Sequence, residues 1–594
     1  MLLTRQCSPL YNRRHCSRVF YSSKIACRAV PPRDTGSDGR TQRRTLTRRG
    51  GMDASWQLDP DKPWYHVMPR SGWLNDPNGP IFYKGKYHVF YQHVVGTSEW
   101  DWACCWGHAS TEDLAHWKHE PIALEPSAKG RDAAGVWSGC STVDEQGRPV
   151  ILYTAVRKRE PGMPLPPEGS DLGLDMIESQ CAATCDPADT DMLEWTKQDA
   201  PIIDFPPQGQ ALAGFRDPYI IQRGSPERPW RIAIGSGIKG KGGTILQYSS
   251  DALLHGWKFE GCLVEGTTKP CGEWDTGEMW ECPFFVALPS CGQRPDCSSG
   301  SSQHVLCVSP YPHYRKDRPT NPCLYWINAF NGDKFNVGTA SGPHRLDLGD
   351  ILYAPNTLQT PDGRMLMLAW LQELRRGGGH DYAGCLSVPR RLSLQGNRLH
   401  QEPAQELEQL RTEPSAHLPS LPIPAGRGVP LPGVTGPSLD VSLRLKRGQS
   451  AQAGLLLRPW LRADSADAEP TAAALVVDWE SQSLEVCFST QLDTSTQAFG
   501  WESIVKRVGG EICAAEGVVD LRVFIDHSAV EIFTGCGQAL STRVYRGNEP
   551  GHGMFFIAHG GGAEALNVHA YTMGSIWTSR ADMPAKQEEP ALAS

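Results

Sequence analysis

Residues 71–80 of the chain read Ser71-Gly72-Trp73-Leu74-Asn75-Asp76-Pro77-Asn78-Gly79-Pro80. Asn, Asp and Gly tolerate unusual backbone angles and Pro fixes its own φ, so a segment this rich in them forms a tight turn. One interpretation is a surface turn that leads into a strand at 81–83. The other is a rigid turn that holds Asp76, beside the aromatic Trp73, in a sugar-binding site. Carboxylates in similar settings farther along the chain favour the second interpretation.

Size and composition indicate a globular protein with more than one domain. At 594 residues the chain is too long for one ordinary hydrophobic core, so two domains are expected. No run of about 18 apolar residues predicts a transmembrane helix, and we expect no membrane partner. The 19 cysteines lack the paired spacing of a zinc site.

Charge is divided unevenly along the chain. Residues 1–50 contain 12 Lys/Arg and 2 Asp/Glu, whereas the remainder contains 46 and 64. An acidic body argues against a nucleic-acid partner, which needs a positively charged surface.

Residues 1–55, rich in Arg and Ser, predict either a transit peptide for a plastid or mitochondrion or a disordered leader, with Met52 as an alternative start. The cytoplasm is the alternative location. Secretion is less favoured, because the leader has no apolar signal core and the chain has no Asn-x-Ser/Thr acceptor.

Residues 60–400 alternate short apolar strands with turns. Hairpins around Gly-containing turns are predicted at Pro80–His93, Trp137–Val156, Ile351–Trp370 and Cys385–Leu399. A weak Asp-Leu-x-x-Trp repeat ends at Trp117, Trp195 and, with one inserted residue, Trp257. The spacings of 78 and 62 residues each suit one four-stranded sheet. We therefore predict a β-propeller of roughly five blades rather than one large β-sandwich with coincidental repeats.

The remaining chain predicts a second all-β domain. Residues 401–433 contain a short charged helix and then a Pro-rich stretch, so they are interpreted as a linker. Residues 434–578 alternate apolar and polar side chains, as the strands of a half-buried β-sandwich do. Residues 579–594 are polar and predicted to be a disordered tail.

Two further carboxylates lie in settings that suit chemistry. Asp217 lies between Arg216 and Pro218, and the adjacent arginine is expected to keep it ionised with a lowered pKa. An exposed Arg–Asp turn is the alternative. Glu281 follows Trp280 and precedes Cys-Pro-Phe-Phe, an apolar setting expected to raise its pKa as a general acid requires. Glu278 is instead expected to face solvent.

A retaining glycosidase needs one ionised carboxylate and one protonated carboxyl about 5 Å apart. Asp76 and Glu281 are 205 residues apart in sequence. A propeller can bring them together, because the innermost strand of every blade lines one central funnel. The residues alone thus predict a glycosidase without naming its substrate.

Three motifs, in this order, resemble those of glycoside hydrolase family 32, which contains invertases, inulinases and levanases. They are Trp73-Leu74-Asn75-Asp76-Pro77-Asn78-Gly79, Arg216-Asp217-Pro218 and Trp280-Glu281-Cys282-Pro283. Supporting matches are Tyr91-Gln92, Trp106-Gly107-His108-Ala109, Trp137-Ser138-Gly139-Cys140 and Leu521–Phe533. The likeness extends from about Trp64 to Trp577.

The resemblance implies a five-bladed β-propeller followed by a C-terminal β-sandwich, and hydrolysis of β-fructofuranosides with retained configuration. It implies no metal and no organic cofactor. Asp76 corresponds to the nucleophile, Glu281 to the acid/base, and Asp217 to the residue that stabilises the transition state. The positions that correspond to the sugar pocket are Asn75, Gln92, Trp100, Trp137, Ser138 and Arg216.

This chain departs from the family pattern at several positions. His93-Val94-Val95 follows Tyr91-Gln92, Phe284 stands where many members carry Asp, and the tryptophan before Trp106 is offset, which leaves Trp100 or Trp102 as its equivalent. These changes blur the substrate preference more than the reaction. The leading hypothesis is a β-fructofuranosidase acting on sucrose. The alternatives are a fructosyltransferase, a fructan exohydrolase and a non-catalytic sugar-binding relative. A sugar is the only partner expected, and the sequence predicts no oligomeric state.

Overall fold

The computed structural model describes residues 59–160, 165–265, 276–289, 303–311, 322–375, 380–459, 470–514, 517–545 and 553–577. Within these ranges the chain is nearly all β-strand, with short 3-10 helices at Gln405–Leu410 and Trp501–Ser503. No helix in the described part is long and apolar enough to cross a membrane. The predicted all-β class is confirmed. The predicted leader (1–55) and tail (579–594) lie outside the described residues.

The first half of the chain forms a five-bladed β-propeller, as predicted. Blade 1 contains β1 (Gly72–Tyr83), β2 (Lys86–Val94), β3 (Cys105–Thr111) and β4 (Trp117–Leu124). Blade 2 contains β5 (Gly135–Val143), β6 (Pro149–Lys158), β7 (Met176–Cys185) and β8 (Trp195–Lys197). Blade 3 contains β9 (Leu212–Gln222), β10 (Trp230–Ile238), β11 (Gly242–Ser250) and β12 (Lys258–Glu265).

The last two blades follow the same antiparallel order. Blade 4 contains β13 (Met279–Ala287), β14 (Gln303–Tyr311), β15 (Leu324–Ala329) and β16 (Ser341–Arg345). Blade 5 contains β17 (Leu352–Gln359), β18 (Met365–Leu371), β20 (Cys385–Leu386), β21 (Arg390–Gln395) and β22 (Arg398–Pro403). All four predicted hairpins are present, at β1–β2, β5–β6, β17–β18 and β21–β22.

The inner strands β1, β5, β9, β13 and β17 contact one another in a ring. A short strand from the end of the propeller, β19 (Tyr382–Ala383), closes this ring by pairing in parallel with the start of β1. Gly72 N donates to Asp381 O at 2.7 Å at this seam. Gly72 has φ +95°, and a Cβ there would lie 2.4 Å from Val94 O, so only glycine fits.

The Asp-Leu-x-x-Trp repeat marks one structural position. Trp117 begins β4, Trp195 begins β8, and Trp257 directly precedes β12. The repeat is therefore the turn between the third and fourth strands of blades 1, 2 and 3. In two of these turns the indole N–H donates to a main-chain oxygen of the turn itself, Trp195 to Met192 O and Trp257 to Leu253 O, both at 2.9 Å.

The second half of the chain forms a sandwich of two six-stranded sheets. One sheet has the order β23 (Arg411–Ile423), β36 (Ala563–Met573), β25 (Ser438–Lys446), β32 (Val518–Asp526), β33 (Ala529–Thr534) and β34 (Ala539–Arg543). The other has the order β24 (Val429–Pro430), β35 (Phe555–His559), β26 (Gln452–Pro459), β27 (Ala472–Asp478), β28 (Ser483–Ser489) and β31 (Ile504–Glu511). A separate small ribbon pairs β29 (Leu492–Asp493) with β30 (Ala498–Phe499). Buried aliphatic side chains from both sheets, such as Val441 and Leu475, form one core between them.

The expected linker at 401–433 is wrong in one respect. The short helix is present as the 3-10 turn Gln405–Leu410, but residues 411–423 form β23, the edge strand of the first sandwich sheet, paired along its length with β36. The prolines that favoured a linker are tolerated because an edge strand has one unpaired side. Pro414 also falls within a register shift between Thr412 and Ser415.

Buried charges join propeller and sandwich. His66, just before blade 1, lies 2.7 Å from Asp526 Oδ2 and 3.0 Å from Glu531 Oε1, both on the sandwich. Arg390 in blade 5 donates to Glu531 and, at 2.9 Å, to Asp347. Burial lowers the pKa of His66, but these two carboxylates outweigh burial and raise it overall. The stabilisation from charged His66 is therefore fully present below its unfolded pKa and is lost as the pH rises through the raised folded pKa.

We predict that Arg390→Met destabilises the protein by about 3–5 kcal/mol, because it removes the guanidinium that pairs with the buried Glu531 and Asp347 carboxylates. The matched control is Arg444→Met on the sandwich, where the exposed Arg444–Asp520 pair contributes little in water. Differential scanning calorimetry at pH 7 measures both. Equal shifts in Tm for the two variants would contradict the assigned role of the buried pair.

Candidate active site

The three predicted carboxylates lie on inner strands of different blades. Asp76 is on β1, Asp217 on β9 and Glu281 on β13. A proline follows each motif acid within two residues, and strand pairing shifts register at each point. Proline cannot donate to the ladder, and the resulting bulges re-aim side chains. Asp217 adopts φ +64° at its bulge. The same local feature, a bulge next to a proline, therefore turns all three acids out of their sheets.

Asp76 is held by two neighbouring side chains. Ser138 Oγ donates to Oδ2 at 2.6 Å, and Asn75 Nδ2 donates to Oδ1 at 3.1 Å. Burial raises the pKa of Asp76 and the charge of Glu281 adds to this, while the bonds from Ser138 and Asn75 oppose it. Both oxygens are thus fixed in direction, and the carboxylate cannot rotate without breaking a bond.

Asn75, Gln92 and Ser138, which the sequence predicts in the sugar pocket, form one hydrogen-bonded chain. Trp73 Nε1 donates to Asn75 Oδ1 at 2.9 Å, and Asn75 Nδ2 also donates to Gln92 Oε1 at 2.6 Å. Gln92 Nε2 donates to Ser138 Oγ at 2.6 Å. The chain runs through blades 1 and 2 and ends on Asp76. Because every member is buried except Trp73, the orientation of each amide is fixed by its neighbour.

Glu281 lies between an arginine and a tyrosine. Arg216 donates to Oε1 from Nε at 3.0 Å and from Nη2 at 2.9 Å, and Tyr353 donates to Oε2 at 2.8 Å. Arg216 also donates to the buried Glu178. The apolar setting read from Trp280 and Phe284 is thus only part of the surroundings of Glu281. Glu278 is exposed, as predicted.

The expectation that Arg216 lowers the pKa of Asp217 is wrong. Arg216 bonds Glu178 and Glu281 instead of its neighbour Asp217. Burial raises the pKa of Asp217 to about 7, helped by the charges of Glu281 and Asp76, and Arg216 offsets this only in part. Asp217 is therefore easier to protonate than expected, because three carboxyl groups share one buried space.

Cys282 joins two of the acids and was not singled out from the sequence. Its Sγ lies 3.4 Å from Asp76 Oδ2 and 3.5 Å from Asp217 Oδ2, and its backbone N donates to Asp217 at 2.9 Å. Burial and the neighbouring carboxylates raise the pKa of the Cys282 thiol well above its ordinary value. The sulfur therefore keeps its proton and acts as a weak hydrogen-bond donor between the two carboxylates.

Trp137 and Trp100, also predicted pocket residues, are connected through Trp102. Trp137 and Trp102 stack with ring centroids 5.3 Å apart, and Trp100 meets Trp102 edge to face at 4.9 Å. The guanidinium of Arg216 lies 5.8 Å from the Trp137 ring. Trp102 rather than Trp100 therefore makes the direct contact with Trp137.

Sequence reasoning missed Glu178 and Tyr353 as well as Cys282. Glu178 is an isolated acid within the buried strand β7, an unusual placement that a partner must compensate. Tyr353 lies in an apolar run at the start of β17 and carries no comparable signal. Among the described residues, no group of three or more His, Cys, Asp or Glu side chains is arranged to hold a metal ion.

We predict that Asp217→Asn raises Tm by about 1–3 °C at pH 8 but not at pH 4. The folded pKa of Asp217, about 7, exceeds the unfolded value of 3.8. Ionisation of Asp217 therefore lowers the free energy of unfolding progressively as the pH rises from 3.8 to about 7, and the loss is complete above that pH. Asn has nearly the same shape, tolerates positive φ and removes the charge. Differential scanning fluorimetry across this pH range measures the effect. Asp251→Asn, at an exposed position in blade 3, is the control. A gain that does not depend on pH would contradict the explanation.

The chain matches two protein-family models. The model of the glycosyl hydrolases family 32 N-terminal domain matches residues 66–403, and that of the glycosyl hydrolases family 32 C-terminal domain matches residues 406–572. The first match covers the whole described propeller, and the second covers most of the sandwich.

Individual relatives agree with the family models. A sucrose-6-phosphate hydrolase of Escherichia coli is 29% identical over 87% of this chain and 94% of its own length. A raffinose invertase of Escherichia coli is 30% identical over 87% and 94%. The crystal structure of fructan 1-exohydrolase IIa from Cichorium intybus shares the fold, with a TM-score of 0.69 and 24% identity over 87% of this chain and 98% of that one. The protein belongs to glycosyl hydrolase family 32.

Proposed function

We propose that this protein is a retaining β-fructofuranosidase that releases fructose from sucrose by double displacement. The observation that carries the proposal is the meeting of Asp76 and Glu281, from blades 1 and 4: Cys282, the residue next to Glu281, has its Sγ 3.4 Å from Asp76 Oδ2, and the charge of Glu281 contributes to the raised pKa of Asp76. A retaining glycosidase requires two carboxyl groups, one as the nucleophile and one as the acid/base.

In the first step Asp76 attacks the anomeric carbon of the fructosyl unit. Glu281 gives its proton to the glycosidic oxygen as the bond to the leaving sugar breaks. The product is a covalent fructosyl ester on Asp76. Ser138 and Asn75 support this step, because they hold the nucleophile in one orientation before the sugar arrives.

In the second step the ionised Glu281 takes a proton from water, and the water oxygen attacks the anomeric carbon. The bond to Asp76 breaks, and fructose leaves with the configuration it had in the substrate. Glu281 ends the cycle protonated, as it began. Two inversions at one carbon give overall retention.

Arg216 and Glu178 support the loss and gain of a proton by Glu281 within the site. Glu178 is the counter-ion of Arg216, so this ion pair adds no net charge beside Glu281. Arg216 also fixes the Oε1 atom of Glu281 with two N–H groups, which orients the carboxyl group. Asp217 is proposed to accept hydrogen bonds from fructose hydroxyls as positive charge develops on the ring.

Sucrose is the proposed substrate because relatives named for hydrolysis of sucrose phosphate and for invertase activity align over most of the chain. Transfer of fructose to another sugar, or exohydrolysis of fructans, uses the same residues. The fructan 1-exohydrolase with the same fold keeps the latter as the second candidate. Product analysis on sucrose separates hydrolysis from transfer: hydrolysis gives equal glucose and fructose, whereas transfer gives excess glucose and trisaccharides.

We predict that Asp76→Asn lowers kcat on sucrose by about 10⁴-fold or more and Glu281→Gln by about 10²–10⁴-fold. Both substitutions preserve shape and remove the group that reacts. The initial rate of fructose release measures the loss, and proton NMR of the first anomer formed tests retention.

Glu278→Gln is the matched control for Glu281→Gln, since it makes the same change three residues away at an exposed position. It should keep kcat within about twofold, the usual scale for a surface substitution. Near-normal turnover in a folded Asp76 or Glu281 variant would overturn the proposed assignment, as would release of the inverted anomer.

We predict that Tyr353→Phe lowers kcat on sucrose about tenfold and changes KM by less than about threefold. The change removes only the hydroxyl that donates to Glu281 Oε2, and Tyr353 is proposed to act through this acid rather than on the sugar. The loss should be smaller with an aryl β-fructofuranoside, whose leaving group needs little protonation. An equal loss on both substrates would indicate that Tyr353 supports the fold instead.

A further inference from the structure

Two histidines, here called the histidine pair (His417 and His569), face each other on the exposed side of the first sandwich sheet. His417 on β23 and His569 on β36 stand directly opposite in the strand register. Their Nδ1 atoms lie 2.7 Å apart, and both side chains are exposed. The rings meet edge to face, with centroids 5.0 Å apart. The pair is on the sandwich, whereas the three acids of the active site are on the propeller, so the proposed reaction does not use it.

The backbone brings the two rings together. β23 and β36 pair along the length of β23, and Ala416 and Ala570, which are adjacent to the histidines in sequence, pack into the sandwich core. β36 is also paired with β25 on its other side. Directly opposite residues in an antiparallel sheet hold their Cβ atoms about 5 Å apart. The sheet therefore sets the separation of the histidine pair, and only side-chain torsions decide where the ring nitrogens point.

Paired imidazoles at this spacing suit a transition-metal ion. Neutral imidazole nitrogen is a ligand for copper, nickel and zinc. Two ligands about 2.0 Å from a metal lie about 2.8 Å apart at the roughly 90° angle of square-planar Cu²⁺ and Ni²⁺ sites, and about 3.3 Å apart at the tetrahedral angle of Zn²⁺ sites. The observed separation of 2.7 Å matches the square-planar value. Because both rings are exposed, they can rotate to direct both lone pairs toward one ion.

The charges near the histidine pair are balanced. The ring of Tyr571 packs against one histidine of the pair with centroids 5.3 Å apart, and the guanidinium of Arg411 lies 4.2 Å from the Tyr571 ring. Arg411 and Arg522 both pair with Asp440 and with Glu408. Two acids thus offset two arginines, so this part of the sheet does not repel a cation.

We propose that the histidine pair is a binding site for a divalent transition-metal ion in square-planar coordination, with Cu²⁺ bound most tightly. Each histidine supplies Nδ1, and water completes the coordination. Two protein ligands make an open site, consistent with the lack of a cluster of three or more metal-binding side chains in the described part of the chain. The bound ion links the edge strand β23 to β36. This inference does not depend on the proposed function.

The test is isothermal titration calorimetry with NiCl₂ on the whole protein, because Ni²⁺ does not oxidise free cysteines. His417→Gln and His569→Gln should each weaken Ni²⁺ binding by about 100-fold or more, since loss of an outer-shell partner alone costs about 10–100-fold. The double variant should lose little more, because one remaining imidazole cannot chelate. Electron paramagnetic resonance with one equivalent of Cu²⁺ should show splitting from two nitrogen nuclei in the wild type and from one in each single variant.

His255→Gln is the matched control, since it removes an exposed histidine from blade 3. It should change the Kd for Ni²⁺ by less than about twofold, the usual scale of a surface substitution. Wild-type affinity in either variant of the histidine pair overturns the site. Half the stoichiometry at unchanged affinity also overturns it, because that result indicates two independent imidazoles. Fructose release from sucrose is a separate measurement, so failure of the proposed function and failure of the metal site are distinguishable.

Discussion

Closure of the propeller ring is the constraint on which the site depends. The start of β1 pairs in parallel with Tyr382–Ala383, so residues more than 300 positions apart in sequence form one sheet. Asp76 follows this seam by only three residues. Opening the ring would move blade 1 away from blade 4, and Asp76 away from Glu281. The buried charges of His66 and Arg390 support the same closure from outside, because they attach both ends of the propeller to the sandwich.

Inside the propeller ring, the site holds more acidic than basic side chains in a small volume. Asp76, Asp217 and Glu281 share the site, and burial together with the charges of the other two acids raises the pKa of Asp217. Arg216 is the nearby cation, yet Glu178 neutralises it. Stability is thereby reduced where reactivity is needed, a common trade-off at active sites. Cys282 relieves a part of this repulsion without adding charge, since its protonated sulfur faces two carboxylates.

Much of the fold was predictable because its signals are local. Glycine turns predicted four hairpins, and the spacing of Trp117, Trp195 and Trp257 predicted the blades, since each of these tryptophans begins or directly precedes an outer strand. The prolines after residue 413 misled, because sequence does not show whether a strand has one unpaired side. β23 is such an edge strand.

The sequence by itself determined which residues turn out of their strands. Asp76, Asp217 and Glu281 lie in Pro-containing motifs whose bulges depend on neighbours along the chain. Only the tertiary structure decided which groups meet. Arg216 bonds Glu281 and Glu178 rather than the adjacent Asp217, Tyr353 reaches Glu281 from blade 5, and Trp102 takes the place beside Trp137. Such pairings join different blades, so they depend on ring geometry, which no local pattern contains.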